Sequence, residues 1–130
     1  MSSREMTSGS VVQNQTQASD DEDSLKRYKQ DLAAALRWAA RLGLNEGVCN
    51  HFSYEWKTDH YLINPQGLHW SEVCAGDILL IDGDGKLIDG KHKIEPTAFF
   101  IHAWIHRLNP HAKAVLHTHM PYATAITLVE

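Results

Sequence analysis

The sequence is poor in the residues that staple or anchor small folds. It holds only two cysteines, Cys49 and Cys74. Two thiols this far apart make neither a disulfide framework nor a zinc knuckle. The N-terminal stretch has no basic start followed by an apolar core, so it does not read as a secretory signal. Reduced thiols in a cytoplasmic protein are therefore expected. No uninterrupted apolar run of about 18 residues occurs, which argues against a helical membrane span. Excess positive charge is also missing. Up to Ser24 one arginine faces five acids, and from Leu25 onward 11 basic residues balance 11 acidic ones. A neutral body lacks the electrostatic footprint of a nucleic-acid binder, so neither nucleic acid nor membrane is expected as a partner.

What is present is one modest core. The 130 residues are 43% apolar and 22% charged, the balance of a single globular domain. Residues 1–22 are rich in Ser, Thr, Gln and acids and bury too little to offset ordering, so they read as a disordered tail. The domain is expected over residues 23–130. All nine histidines lie in that body.

Periodicity outlines the elements. Leu25, Tyr28, Leu32, Leu36 and Ala39 recur at helical spacing, with Asp23 or Ser24 as cap and Gly43 as stop. The segments CNHFSYEW and HYLIN read as short strands around a turn at Lys57, Thr58 and Asp59. NPQG is a turn. DILLID and KLID form a hairpin through GDG. PTAFFIHAWIHRLNP is a helix with Pro96 in its first turn, apolar all round and so expected to be buried, with Trp104 in the core. KAVLHTH is a strand, and Pro121 opens a last helix. That helix stops at Glu130 without a C-terminal signal, so the chain is expected to be the N-terminal part of a longer domain. The order αββββαβα is that of an α/β or α+β protein.

His117 and His119 stand two apart at the end of the last strand. Residues at that spacing share one face of a strand. They are either polar-face histidines bonded to neighbours or two ligands of a metal ion. The strand leads into a helix start, where α/β proteins place binding sites.

At this point the segments resemble a known family. NPHAKAVLHTHMPYATA, LINPQGLHWSEVCAGDILLIDGDGKLIDG and RLGLNEGVCNHFS are similar, in order, to the class II aldolase/adducin head domain. The resemblance implies a three-layer α/β/α sandwich around a mostly antiparallel sheet. It implies a divalent-metal-dependent carbon–carbon lyase, of aldolase or decarboxylase type, on a small hydroxy-carbonyl or carboxylate compound. His117 and His119 would bind the metal (zinc, or else manganese or iron), and a third histidine would lie beyond Glu130. A homo-oligomer, a tetramer by analogy, is implied too. The resemblance points to Asn50, Gln66, Gly67 and Thr97 as substrate-binding positions.

The sequence also departs from that pattern. Ala98 falls where the family's sugar-phosphate enzymes carry their acid/base glutamate, and alanine cannot move a proton. Glu95, His51 and His69 are candidates to replace it. Glu95 has the alternative of an ordinary helix-start carboxylate, and the two histidines that of plain loop residues. His102 and His106 share a helix face and read as hydrogen-bonded core histidines rather than ligands. Tyr122 reads as a packing residue, and Trp38, Trp56, Trp70 and Trp104 as core or interface. The lost glutamate keeps an alternative open, a non-enzymatic adducin-like association domain.

Overall fold

Two apolar faces in the sequence find opposite sides of one sheet. The structure is a computed structural model that describes residues 6–129. Helix α1 (Met6–Arg41) precedes strands β1 (His51–Lys57) and β2 (His60–Ile63). A short 3-10 turn (Ala75–Asp77), β3 (Leu79–Asp82) and β4 (Leu87–Asp89) follow. Helix α2 (Pro96–Leu108), β5 (Ala114–His117) and α3 (Pro121–Thr127) complete the chain. The strands form one five-stranded sheet in the order β4-β3-β2-β1-β5, with every neighbouring pair antiparallel.

Strand alternation divides the core. Phe52, Leu62 and Leu80 point to one face, where they meet Leu32, Ala33, Leu36 and Ala39 of α1 together with Trp70, Val73 and Ile78. Tyr61, Ile63, Leu79 and Ile81 point to the other, where they meet Ala98, Phe99 and Ala103 of α2. The result is the α/β/α sandwich, with the helical period of α1 as expected. Gly43 follows the helix with φ +68, a left-handed backbone that glycine adopts without strain.

Three expectations are corrected here. First, α1 does not start at Asp23 or Ser24 but runs back to Met6, through most of the segment read as a tail. Residues 1–5 lie outside the described residues. Two contacts hold the middle of the helix: Asp21 pairs with Lys57, and Ser24 accepts a hydrogen bond from Trp56 Nε1 at 3.0 Å. Upstream, residues 13–20 are all exposed. Removing residues 1–20 is therefore expected to leave the melting temperature within error, because little apolar surface is lost. A drop of several degrees in a thermal melt would show that the segment docks on the domain.

Second, α2 is not buried all round. Phe100, Ile101, Trp104 and Leu108 are exposed, Trp104 at 57%. The helix packs one face on the sheet, and among the described residues nothing covers the other. Trp104 instead lies under the Arg107 guanidinium. Third, Tyr122 is exposed and does not pack as expected, and Trp38 is exposed, which leaves it outside the core. Trp70 alone of the four tryptophans is fully buried. No helix among the described residues is long and apolar enough to cross a membrane.

Candidate functional site

The sheet face that carries α2 also carries a histidine cluster, and register explains it. His51 opens β1 and stands opposite His117 of β5. Their rings lie 5.7 Å apart, centroid to centroid. Alternation puts Ser53 on the same face as His51. From above, α2 lowers His102 and His106, one turn apart, onto Ser53. His102 meets His51 edge to face at 5.9 Å.

His119 lies just beyond β5, with its backbone N–H on the Leu44 carbonyl at 3.0 Å. Its Nε2 approaches Nε2 of His117 to 3.1 Å. Its Nδ1 donates to the Glu46 carboxylate at 2.8 Å. A carboxylate behind one ring nitrogen keeps the proton there and leaves the other bare, the arrangement found behind metal-ligating histidines. The Glu46 backbone N–H is itself held by Asn50 Oδ1 at 2.6 Å.

These groups open on a cavity of about 850 Å³. His51, His117, His119, Glu95, Thr97, Gln66 and Gly67 line it, so most of the candidate residues converge there. Gly67 has φ +78, and its left-handed turn carries the NPQG loop to the rim. Glu95 caps α2, and its Oε2 accepts from the Ala98 N–H at 2.5 Å. The same oxygen lies 3.6 Å from Nε2 of His51, a buried nitrogen with no hydrogen-bond partner.

Two candidates lie elsewhere. Asn50 is fully buried and is not part of the lining; it positions Glu46 from beneath. His69 bonds Asn45 and Ser71 outside the cavity. Ala98 packs in the apolar cluster under α2. Sequence reasoning missed Glu46, Lys91, His92 and Lys93, of which the last three line the cavity. No motif marks them, because they come from loops that only the fold brings together. His102 and His106 are buried and hydrogen-bonded as expected, but His102 also lines the cavity.

Burial sets the protonation of the cluster. It lowers the His51 pKa, against an opposing pull from Glu95. It lowers that of His102 to about 4, with help from His51, His106 and His117. His117 is lowered by burial and then by His119. Burial pushes Glu95 up, but the N–H groups of Ala98 and Thr97 outweigh it and the net shift is downward. Near neutral pH the site therefore holds bare imidazole nitrogens beside a carboxylate anion.

That chemistry fits a divalent ion. The convergent Nε2 atoms of His117 and His119 are nitrogen donors of the kind that zinc, manganese and iron accept. Among the described residues, no group of three His, Cys, Asp or Glu is placed to hold a metal. These two histidines would by themselves be a partial ligand set.

Comparison with known proteins bears on this site. Residues 30–130 match the model of the class II aldolase and adducin N-terminal domain. An adducin-related protein of Schizosaccharomyces pombe is 33% identical over 112 residues, 77% of this chain and 34% of that protein. The decarboxylase NovR of Streptomyces niveus is 35% identical over 100 residues, 73% of this chain and 37% of that protein. The structure of an L-fuculose 1-phosphate aldolase from Glaciozyma antarctica superposes with a TM-score of 0.75 at 30% identity, covering 82% of this chain and 45% of that one. The chain thus spans less than half the length of each of these proteins.

Proposed function

Since the chain belongs to the class II aldolase and adducin N-terminal domain family, we propose that it forms part of a divalent-metal-dependent carbon–carbon lyase. Its substrate in this reading is a small hydroxy-carbonyl or carboxylate compound. One observation carries the reading: the Nε2 atoms of His117 and His119 converge to 3.1 Å at the cavity wall, with Glu46 behind His119. Held by these two histidines, a divalent ion, zinc in preference to manganese or iron, would supply Lewis-acid polarisation of a carbonyl oxygen.

The remaining residues assign roles. Lys91 and Lys93 line the cavity and suit an anionic substrate group, a carboxylate or a phosphate. Thr97, Gln66 and Gly67 line it with polar or small groups that can orient a ligand. Glu95 is an anion at the helix start, so it accepts protons or hydrogen bonds rather than donating them. His51, unpartnered at Nε2, is the second candidate for proton handling. Among the lyases, decarboxylation suits the absence of a carboxylate at Ala98, because loss of CO2 leaves an electron pair without prior removal of a proton. The names of two relatives, a decarboxylase and an aldolase, support a reaction of this class. Assembly as a homo-oligomer, with a tetramer as the working model, would give the exposed apolar face of α2 a cover.

The test is metal uptake. Titration of the full-length protein, which would add the third histidine, with Zn²⁺ or Co²⁺ is expected to show one binding event that His117→Ala and His119→Ala each abolish, with circular dichroism unchanged. Uptake that survives both substitutions, or none at all in the full-length protein, removes the lyase reading. A second reading would then stand, an association domain of adducin type, favoured by the similarity to the adducin-related protein and by Ala98.

A further inference from the structure

Behind the cavity wall lies a hydrogen-bonded chain that the metal reading leaves unused. It starts at a backbone carbonyl, that of Ala112, which contacts His106 Nδ1 at 2.8 Å. A carbonyl only accepts, so His106 carries its proton on Nδ1. In a neutral ring the Nε2 of His106 is then bare and must accept. Its partner at 2.8 Å is the Ser53 hydroxyl, which has one proton and spends it there. The other neighbour of that oxygen is His102 Nδ1 at 2.7 Å. The hydroxyl can only accept from it, so His102 also carries its proton on Nδ1. Its Nε2 is left bare.

His102 and Ser53 are 3% and 0% exposed, so no bulk water competes for these bonds. The His102 ring lines the cavity, and among the described residues its hydrogen bond is the one at Nδ1, which leaves Nε2 to the cavity. It faces the same space as His51 and His117. Burial holds both rings of the relay below the ordinary imidazole pKa, in keeping with neutral tautomers.

We propose that His102 contacts the substrate, and that the Ala112 carbonyl, acting through His106 and Ser53, fixes it as a hydrogen-bond acceptor for a ligand hydroxyl. A bare, rigid acceptor selects ligands that bring a donor, because a ligand without one leaves both the nitrogen and its own buried surface unpaired. Ser53 and His106 are then positioning residues. The inference rests on the lyase reading only for the class of ligand; the proton positions belong to the chain itself.

Imidazole nitrogen NMR of the uniformly ¹⁵N-labelled chain is the test. The expected spectrum shows His102 and His106 as neutral rings, each protonated at Nδ1 and bare at Nε2. Glycolate, a carboxylate with one hydroxyl, is expected to shift the His102 Nε2 signal and to bind about fivefold more tightly than acetate, the worth of one hydrogen bond. In Ser53→Ala the His102 proton is expected to move to Nε2 and the preference for glycolate to vanish. Where that variant does not fold, the parent spectrum decides alone. A His102 protonated at Nε2 in the parent chain overturns the proposal, and so does equal affinity for glycolate and acetate. Zinc uptake by the full-length protein reports separately on the lyase reading, since its failure leaves the proton positions of this relay unchanged.

Discussion

Acidification is expected to destabilise this chain well before its carboxylates titrate. His102 is nearly fully buried and its pKa is held at about 4, against an ordinary 6.5. Burial is the main cause; the neighbouring His51 of β1, His106 of α2 and His117 of β5 add to it. The sign follows from proton counting. Above the ordinary value both folded and unfolded chains carry a neutral His102. Below it the unfolded chain binds a proton that the folded chain refuses, so stability falls as pH falls. The loss ends near the folded pKa. At about 1.4 kcal/mol per pH unit the full window amounts to about 3 kcal/mol. His106 adds to the loss in the same direction, since burial lowers it against the raising effects of the Ala112 carbonyl and Glu55. Urea unfolding at a series of pH values is the measurement. A midpoint that stays flat between pH 6.5 and 4 would show that water or movement already lets these rings charge in the folded state. Asp77 adds a later step: the Cys74 N–H and then His92 hold its carboxyl at about 2, so its contribution is lost only below the ordinary 3.8.

Trp70→Ala is expected to cost roughly 3–5 kcal/mol, the range for a large buried aromatic. Trp70 is fully buried, lies tilted against Phe52 with ring centroids 4.6 Å apart, and sits where α1, β1 and the loop before the 3-10 turn meet. The void left by alanine would be bounded by β1, which does not collapse easily because it is paired on both edges. Its indole N–H has no partner, so the change breaks no hydrogen bond and the cost is that of lost packing. Trp104→Ala is the control. That side chain is more than half exposed, and in the monomer its loss is expected to fall within about 0.5 kcal/mol. Chemical denaturation of the two variants decides. A large loss at Trp104 with little at Trp70 would reverse the assignment of the core.

The contrast between these tryptophans shows where the sequence could be read and where it could not. The stripe Leu25, Tyr28, Leu32, Leu36 and Ala39 named the buried face of α1 because a single helical period states it. In α2 no stripe stands out: Phe99 and Phe100, or Ala103 and Trp104, are adjacent and both apolar. Which of each pair is buried depends on how the helix is rotated over the sheet, and that is a property of the contact, not of the segment. The cap of α1 was misplaced for a related reason. Asp23 and Ser24 are good capping residues, but Asp21 and Ser24 are instead engaged by Lys57 and Trp56, residues more than thirty positions away.

The site divides the same way. Local pattern alone singled out His117 and His119, because residues two apart on a strand share a face, and it placed Gly67 in a turn and Glu95 at a helix start. Nothing local tied His51 to His117, Ser53 to His102 and His106, or Glu46 to His119. The first pairing is a matter of sheet register and the second of helix placement. The third comes from a loop between α1 and β1 that folds back on the end of β5. Periodicity and short spacing act within a few residues, so the sequence by itself determined the elements and the histidine pair. Hydrogen bonding between strands and burial under a helix act across the whole chain, and only the tertiary structure decided which nitrogens are bare.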